Sequence, residues 1–275
     1  MSMIFKDNKA DMASIGAFHV LYYFRNFYMN GDVSMLKNKI ILVTGGANGI
    51  GKAIADKFSK ENRVIVIDID KKACELLKKQ NNNIDVYNED LTNYELIEKL
   101  ISNIYLRYHN IDILINNAAV QTANDIMDLS LKDFERVIDV NLTSNFYITQ
   151  LIGNQMKNDG TILNIISTHY NKPRQDKIHY DISKAAVAIL TKGFARALSK
   201  KKITVNALAI GATFTNMNID FENNEEIVNI ALEKIPLNYI CTPEDIANYT
   251  HKLIENFSKH TTGSIFVIDG GRNLI

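Results

Sequence analysis

The apolar run Ile40-Ile41-Leu42-Val43 leads directly into Thr44-Gly45-Gly46-Ala47-Asn48-Gly49-Ile50-Gly51, and this junction narrows the folds open to the chain more than any other stretch. An unbroken apolar run of this length suits a parallel strand covered on both faces. Glycine then permits backbone conformations closed to other residues and leaves no side chain between the main chain and a ligand. From Gly49 onward Ile50, Ala53, Ile54, Lys57 and Phe58 recur at helical spacing, so the N–H groups and positive dipole end of a helix point into the turn. Such a turn receives a phosphate. Its spacing is G-x-x-x-G-x-G, and on these residues alone a plain strand-to-helix turn remains open.

A second apolar run, Arg63-Val64-Ile65-Val66-Ile67, ends at Asp68. An acidic side chain about 20 residues past the first glycine is placed to accept hydrogen bonds from the ribose hydroxyls of a dinucleotide. A 2′-phosphate there would meet like charge, and Ile69-Asp70 follow before any lysine, which favours NAD over NADP. The other reading of Asp68 and Asp70 is that they cap the next helix.

Past Met35 the pattern alternates as an α/β chain does: a single Rossmann-type, doubly wound parallel sheet of about seven strands with helices on both faces. The periodicity predicts strands near 39–44, 63–68, 84–87, 111–116, 161–167, 203–208 and 264–268. It predicts helices near 49–60, 71–80, 93–108, 131–157, 180–200, 223–235 and 243–257. Length and a hydrophobic content of 46% over 275 residues fit one large domain, residues 35–275. Residues 1–34 read as an atypical extension: they hold Phe5, Phe18, Tyr22, Tyr23, Phe24, Phe27 and Tyr28, and Met35 is the expected natural start. Their apolar run is too short to span a membrane and lacks the flanks of a signal peptide.

Lys plus Arg equals Asp plus Glu at 31 each, so no global field attracts nucleic acid or an acidic membrane. Cys74 and Cys241 stand far apart without His or Cys neighbours at ligand spacing, so neither a disulfide framework nor a metal site is expected, and a reducing cytoplasm is the simplest home.

In such sheets ligands bind beyond the carboxyl ends of the strands, where strand order reverses. Polar groups gather at that address: Asp90-Leu91, Asn116-Asn117-Ala118-Ala119, Ser167-Thr168-His169 and Gly211-Ala212-Thr213-Phe214-Thr215. Tyr180 and Lys184 lie four apart at the start of a helix and share one face. An ammonium fixed near the phenol favours phenolate and is expected to lower its pKa. Ser167 ends a buried strand at the same edge, where a hydroxyl can hold a carbonyl oxygen. Asn141 lies inside the long helical segment, either exposed or buried so as to perturb the helix and hold a water.

Taken together these residues resemble the short-chain dehydrogenase/reductase family over nearly all of Lys37 to Arg272. The matching elements are Thr44-Gly45-x-x-x-Gly49-Ile50-Gly51, Asp90-Leu91, Asn116-Asn117-Ala118-Ala119, Asn141, Ser167, Tyr180-x-x-x-Lys184, Val205-Asn206-Ala207, Pro243-Glu244-Asp245-Ile246-Ala247 and Thr262-Gly263 to Asp269-Gly270-Gly271. The resemblance implies hydride transfer between nicotinamide and a carbinol carbon. Tyr180 would act as acid and base, Lys184 would bond the nicotinamide ribose, Ser167 would orient the substrate oxygen, and Asn141 would hold a water leading from Lys184 to solvent. Gly45, Asn48, Gly49, Ile50, Gly51, Asp68, Asp90, Leu91, Asn117, Ala118, Thr213 and Thr215 would hold the cofactor. The family's usual Pro-Gly after the sixth strand is Ile210-Gly211 here, which implies a less rigid turn.

The loop 168–179 carries His169, Lys172, Arg174, Lys177 and His179, read either as solvated charges or as a rim for an anionic substrate. Met217, Ile219 and Phe221 read as an apolar lid, with Asp220, Glu222, Glu225 and Glu226 outside it. The expected function is NAD-dependent oxidation of a secondary alcohol or reduction of its ketone, of the sugar, polyol or cyclic alcohol class. The rivals are an NADPH-dependent 3-oxoacyl-thioester reductase and a non-catalytic nucleotide sensor or scaffold of the same fold. Helices 131–157 and 180–200 are expected to form a symmetric homo-oligomer, a tetramer or dimer.

Overall fold

A computed structural model describes residues 36–215, 224–256 and 260–274. Readings that fall on the N-terminal extension, and those for Met217, Ile219, Asp220, Phe221 and Glu222, lie outside the described residues. Seven parallel strands form one sheet: β1 (Ile40–Thr44), β2 (Arg63–Asp68), β3 (Ile84–Asn88), β4 (Ile113–Asn116), β5 (Thr161–Ser167), β6 (Thr204–Ile210) and β7 (Ile265–Ile268). Their spatial order is β3-β2-β1-β4-β5-β6-β7. The chain winds outward from β1 to β3, returns across β1 to β4, and winds outward again. The reversal therefore lies between β1 and β4, which pair from Ile41↔Ile113 to Thr44↔Asn116.

The helices are α1 (Gly49–Phe58), α2 (Lys71–Gln80), α3 (Tyr94–Tyr108), α4 (Leu131–Ile138), α5 (Ser144–Gln155), α6 (Ile178–Leu198), α7 (Glu225–Glu233) and α8 (Pro243–Glu255). Strand alternation sorts them into two layers. Ile41, Val43, Val64 and Val66 face one side, packing with Ile54 and Phe58 of α1 and Ile246 and Ile254 of α8. Leu42, Ile65, Leu114 and Ile162 face the other, against Ile97, Ile101 and Ile104 of α3 and Ile148 and Ile152 of α5. Both faces are dry, which is why the strands read as unbroken apolar runs. Asn164 interrupts one such run and is fully buried. Its amide donates to Thr191 Oγ1 at 2.9 Å and its carbonyl accepts from the Asn116 amide at 2.9 Å, so the polar atoms are satisfied within the core.

One expected helix is broken. The segment predicted as continuous over 131–157 contains a wide π turn at Asp139–Thr143, between α4 and α5. Asn141 sits in it, 1% exposed, so the exposed reading of this residue is overturned. Its Oδ1 accepts from Val120 N–H at 2.8 Å, and its Nδ2 donates to Val120 C=O at 2.9 Å and to Ser183 Oγ at 3.0 Å. These bonds clamp the segment that follows β4 to the helix, and the helical ladder widens locally to let the side chain reach them.

Candidate functional site

A cavity of about 670 Å³ opens over the carboxyl ends of the strands, along the β1/β4 reversal. Of the residues singled out from sequence, Gly45, Asn48, Gly49, Ile50, Gly51, Asp68, Asp90, Leu91, Asn117, Ala118, Tyr180, Lys184 and Thr215 line it. Asn141, Ser167 and Thr213 are not among the lining residues.

The glycine turn is built by close approach. Gly45 holds φ of +63°, and a Cβ there would sit 2.8 Å from Ala118 Cα. A Cβ on Gly51 would lie 2.0 Å from the Gly45 carbonyl oxygen, so α1 starts against the turn in a way that no side chain permits. Asn117 fixes the turn from β4: its amide donates to Thr44 C=O at 3.1 Å and Gly45 C=O at 2.8 Å. Thr44 Oγ1 in turn accepts from the N–H groups of Asn117 and Ala118 at 3.1 and 3.2 Å. Asn48 precedes α1 in extended backbone and its side chain makes no cap, leaving the first-turn N–H groups to an incoming acceptor, and the first turn carries no acid. An anionic diphosphate fits this cradle.

Asp68 ends β2 at the cavity wall. Its Oδ2 accepts from Ala47 N–H at 2.9 Å and its Oδ1 from Asp70 N–H at 3.0 Å, which fixes the carboxylate while leaving lone pairs toward the cavity. Asp70 is the helix cap of the pair, accepting from Ala73 N–H at 3.0 Å. Asp90 closes its own turn by accepting from Thr92 N–H and Oγ1–H at 2.9 and 2.8 Å. On the β6 side Thr215 stands opposite Gly49, whose added Cβ would be 3.8 Å from Thr215 Cγ2. Thr213 is 2% exposed and its hydroxyl donates to Gly211 C=O at 3.2 Å.

Helix α6 supplies the remaining chemistry. Lys184 is 4% exposed, with Nζ donating to Ile165 C=O at 3.0 Å and lying 5.5 Å from the Tyr180 ring centre. Burial pulls the ammonium pKa down to about 8. Burial also pushes the Tyr180 phenol up to about 12, opposed by the Arg174 charge and by a hydrogen bond with Ser167. The expectation that Lys184 lowers the phenol's pKa is therefore corrected: desolvation of the hydroxyl outweighs nearby charge, and the opposing charge is arginine.

The loop before α6 departs furthest from its reading. Arg174 is locked to Asp181, with Nη2 to Oδ1 at 2.7 Å and backbone N–H to Oδ2 at 2.7 Å, and its guanidinium lies 5.5 Å from the Tyr180 ring centre. His179 is fully buried, with Nε2 2.7 Å from Thr122 Oγ1, and burial lowers its pKa. His169 Nδ1 donates to Lys172 C=O at 2.8 Å, and burial lowers its pKa too. Neither histidine is a solvated rim charge. These partners are remote in sequence or require the folded loop, and only the i, i+7 pairing of Arg174 with Asp181 left a local trace. Lys132, Arg136 and Asp139, which also line the cavity, were not anticipated.

Among the described residues, no group of three or more His, Cys, Asp or Glu could hold a metal ion, and no helix is long and apolar enough to cross a membrane.

Comparison with known proteins gives a consistent result. A family described as enoyl-(acyl carrier protein) reductase matches residues 45–273. Glucose 1-dehydrogenase 2 of Bacillus subtilis is 31% identical over 249 residues, 87% of this chain and 96% of that protein. A 3-oxoacyl-[acyl-carrier-protein] reductase of Thermotoga maritima is 33% identical over 245 residues, 86% of this chain and 98% of that protein. Among solved structures, a 4-hydroxyisoleucine dehydrogenase complexed with NADH superimposes with a TM-score of 0.81 at 31% identity, covering 86% of this chain and all of that one.

Proposed function

From the short-chain dehydrogenase/reductase family, to which this chain belongs, we propose an NAD-dependent oxidoreductase acting on a secondary alcohol or its ketone, of the sugar, polyol or cyclic alcohol class. The observation that carries this reading is the pairing of a half-buried Tyr180 with a buried Lys184 on the wall of the same cavity that the glycine cradle opens into. The nicotinamide dinucleotide supplies the hydride acceptor or donor when bound.

The chain's own residues divide the remaining work. Gly45, Asn48, Gly49, Ile50 and Gly51 with the α1 N-terminus would hold the diphosphate, and Asp68 the adenosine ribose, with Asp90, Leu91, Asn117 and Ala118 forming the facing wall. Thr215 would hold the carboxamide end, with Thr213 supporting its turn from within. Tyr180 would take the proton of the alcohol, or return it to the carbonyl oxygen, through its phenolic Oη. Ser167, bonded to that phenol, would orient the same oxygen. Lys184 would bond the nicotinamide ribose, and Asn141, tied to Ser183 and Val120, would hold the helix in position behind it and a water leading from Lys184 to solvent. A fixed carboxylate at Asp68 supports NAD over NADP, since a 2′-phosphate would meet it as like charge. The same feature disfavours the 3-oxoacyl-thioester reductase reading, and an intact Ser167, Tyr180 and Lys184 set disfavours a non-catalytic sensor.

Helix faces bearing Phe146, Ile182 and Ile189, which are 40%, 42% and 67% exposed, support a homo-oligomer built on α5 and α6. Two free thiols fit a cytoplasmic location.

Tyr180→Phe tests the assignment. Turnover of any alcohol found active should fall by at least ~10³ while NAD affinity stays within a few-fold, and retained activity would end it.

A further inference from the structure

Arg174 belongs to the loop between β5 and α6, and three bonds fasten it to Asp181, the residue after Tyr180. Its backbone N–H donates to Asp181 Oδ2 at 2.7 Å, its Nη2 to Oδ1 at 2.7 Å and its Nε to Oδ2 at 3.4 Å. Asp181 is 2% exposed, so this ion pair is largely withdrawn from water, and a planar fork gripped at two points cannot swing away. The loop is also tied to the segment after β4: Asn124 N–H donates to Asp176 C=O at 2.8 Å and Gln175 Nε2 to Asp125 Oδ2 at 2.8 Å. The result is a guanidinium fixed with its Cζ 5.5 Å from the Tyr180 ring centre.

We propose that Arg174 is a positioning residue for the reaction: clamped by Asp181 over the Tyr180 ring, its charge favours the phenolate that takes the proton from the alcohol. This rests on the dehydrogenase reading above and adds to it a residue that does not line the cavity.

When a phenol ionises, its negative charge spreads from the oxygen into the ring, so a cation at the ring gains more from phenolate than from phenol. The groups acting on this phenol are Arg174, Asp181 and Ser167, and the Arg174 charge works toward ionisation while burial and Asp181 work against it. Asp181 does not cancel the arginine by position, since neighbouring residues of a helix point about 100° apart around its axis. Lys184 Nζ also lies 5.5 Å from the ring centre, but it is bonded to Ile165 C=O and can give up its proton. A guanidinium keeps its charge throughout the pH range of an enzyme assay. A cation within about 4–6 Å of an acid changes its ionisation about ten-fold or more, and the Asp181 counter-charge holds the expected effect to the low end.

The test follows oxidation of glucose, sorbitol and cyclohexanol by the full chain at saturating NAD. Arg174→Gln removes the charge yet keeps a donor for the buried Asp181, and its kcat should fall about ten-fold with both KM values within about three-fold. Arg174→Lys restores a charge and should return kcat to within about three-fold of the native value. The pH at which oxidation levels off, about 8 and set by the burial of Lys184, should stay in place in Arg174→Gln, because the lost charge acts on the phenol. A reading independent of turnover is the Nε–H resonance of Arg174, identified by its loss in Arg174→Lys, which should shift when Tyr180→Leu removes the ring. Native kcat in Arg174→Gln, an Arg174→Lys variant equally slow, a loss carried by KM, a displaced levelling point, or a resonance indifferent to Tyr180→Leu would overturn the proposal. Each of these leaves the dehydrogenase reading intact, whereas a fully active Tyr180→Phe removes that reading instead.

Discussion

Replacing Lys184 by methionine should change the shape of the pH profile for alcohol oxidation, and the two titratable groups that α6 brings to the cavity determine how. In the native pair the ammonium gives up its proton near 8 and the phenol near 12, because burial penalises both charged forms. The pair therefore carries two protons below about 8 and one between about 8 and 12. If the form that accepts a proton from alcohol is phenolate beside ammonium, it belongs to the one-proton state, and its share of that state does not vary with pH. Oxidation should then rise about ten-fold per pH unit up to about 8 and level off, gaining only about two-fold between pH 8 and 10. In Lys184→Met the phenol titrates alone near 12, and the same interval should bring a gain of about a hundred-fold. The assay is kcat/KM for oxidation at saturating NAD, followed by absorbance of the reduced cofactor, so that weakened cofactor binding in the variant does not distort the midpoint. A variant profile that levels off near pH 8, or a native one that climbs steadily to pH 10, would refute the coupled-pair reasoning.

Two further outcomes are expected. Asp68→Asn keeps an acceptor for Ala47 N–H but removes the charge, and should raise kcat/KM with NADP by about ten-fold or more relative to NAD; an unchanged ratio counts against the ribose role. Asn141→Ala strips both main-chain groups of Val120 of their partner and should cost ~1–3 kcal/mol in urea unfolding at constant slope; an unchanged midpoint would show that the clamp contributes nothing to stability.

The parts of this protein that were legible in the sequence are those whose cause is local. A strand buried on both faces must be apolar throughout, so β1, β2 and β5 could be read to within a residue or so, and the glycine turn announces itself because only glycine satisfies its φ angles and contacts. The i, i+4 spacing of Tyr180 and Lys184 is likewise a property of one helix. A helix perturbed at Asn141 was one of two readings open in the sequence, and the choice between them was not legible, since the π turn at Asp139–Thr143 exists to let Asn141 reach Val120, 21 residues upstream. His179 looked like a loop cation because its partner, Thr122, is 57 residues away. The direction of the Tyr180 shift was misjudged for a related reason. Spacing reveals which charges are neighbours, but the extent of desolvation is fixed only once the sheet edge, the loop and α6 have closed around the hydroxyl.

The reversal between β1 and β4 has an evolutionary corollary. That seam is created by the route of the backbone, and the residues maintaining it are few: a threonine, an asparagine and glycines that fit no other side chain. The Bacillus and Thermotoga relatives differ from this chain at roughly two positions in three and carry names for different substrates. A lineage can therefore exchange one metabolite for another by editing segments outside the seam, such as 168–177 after β5, without disturbing the few residues on which the seam depends.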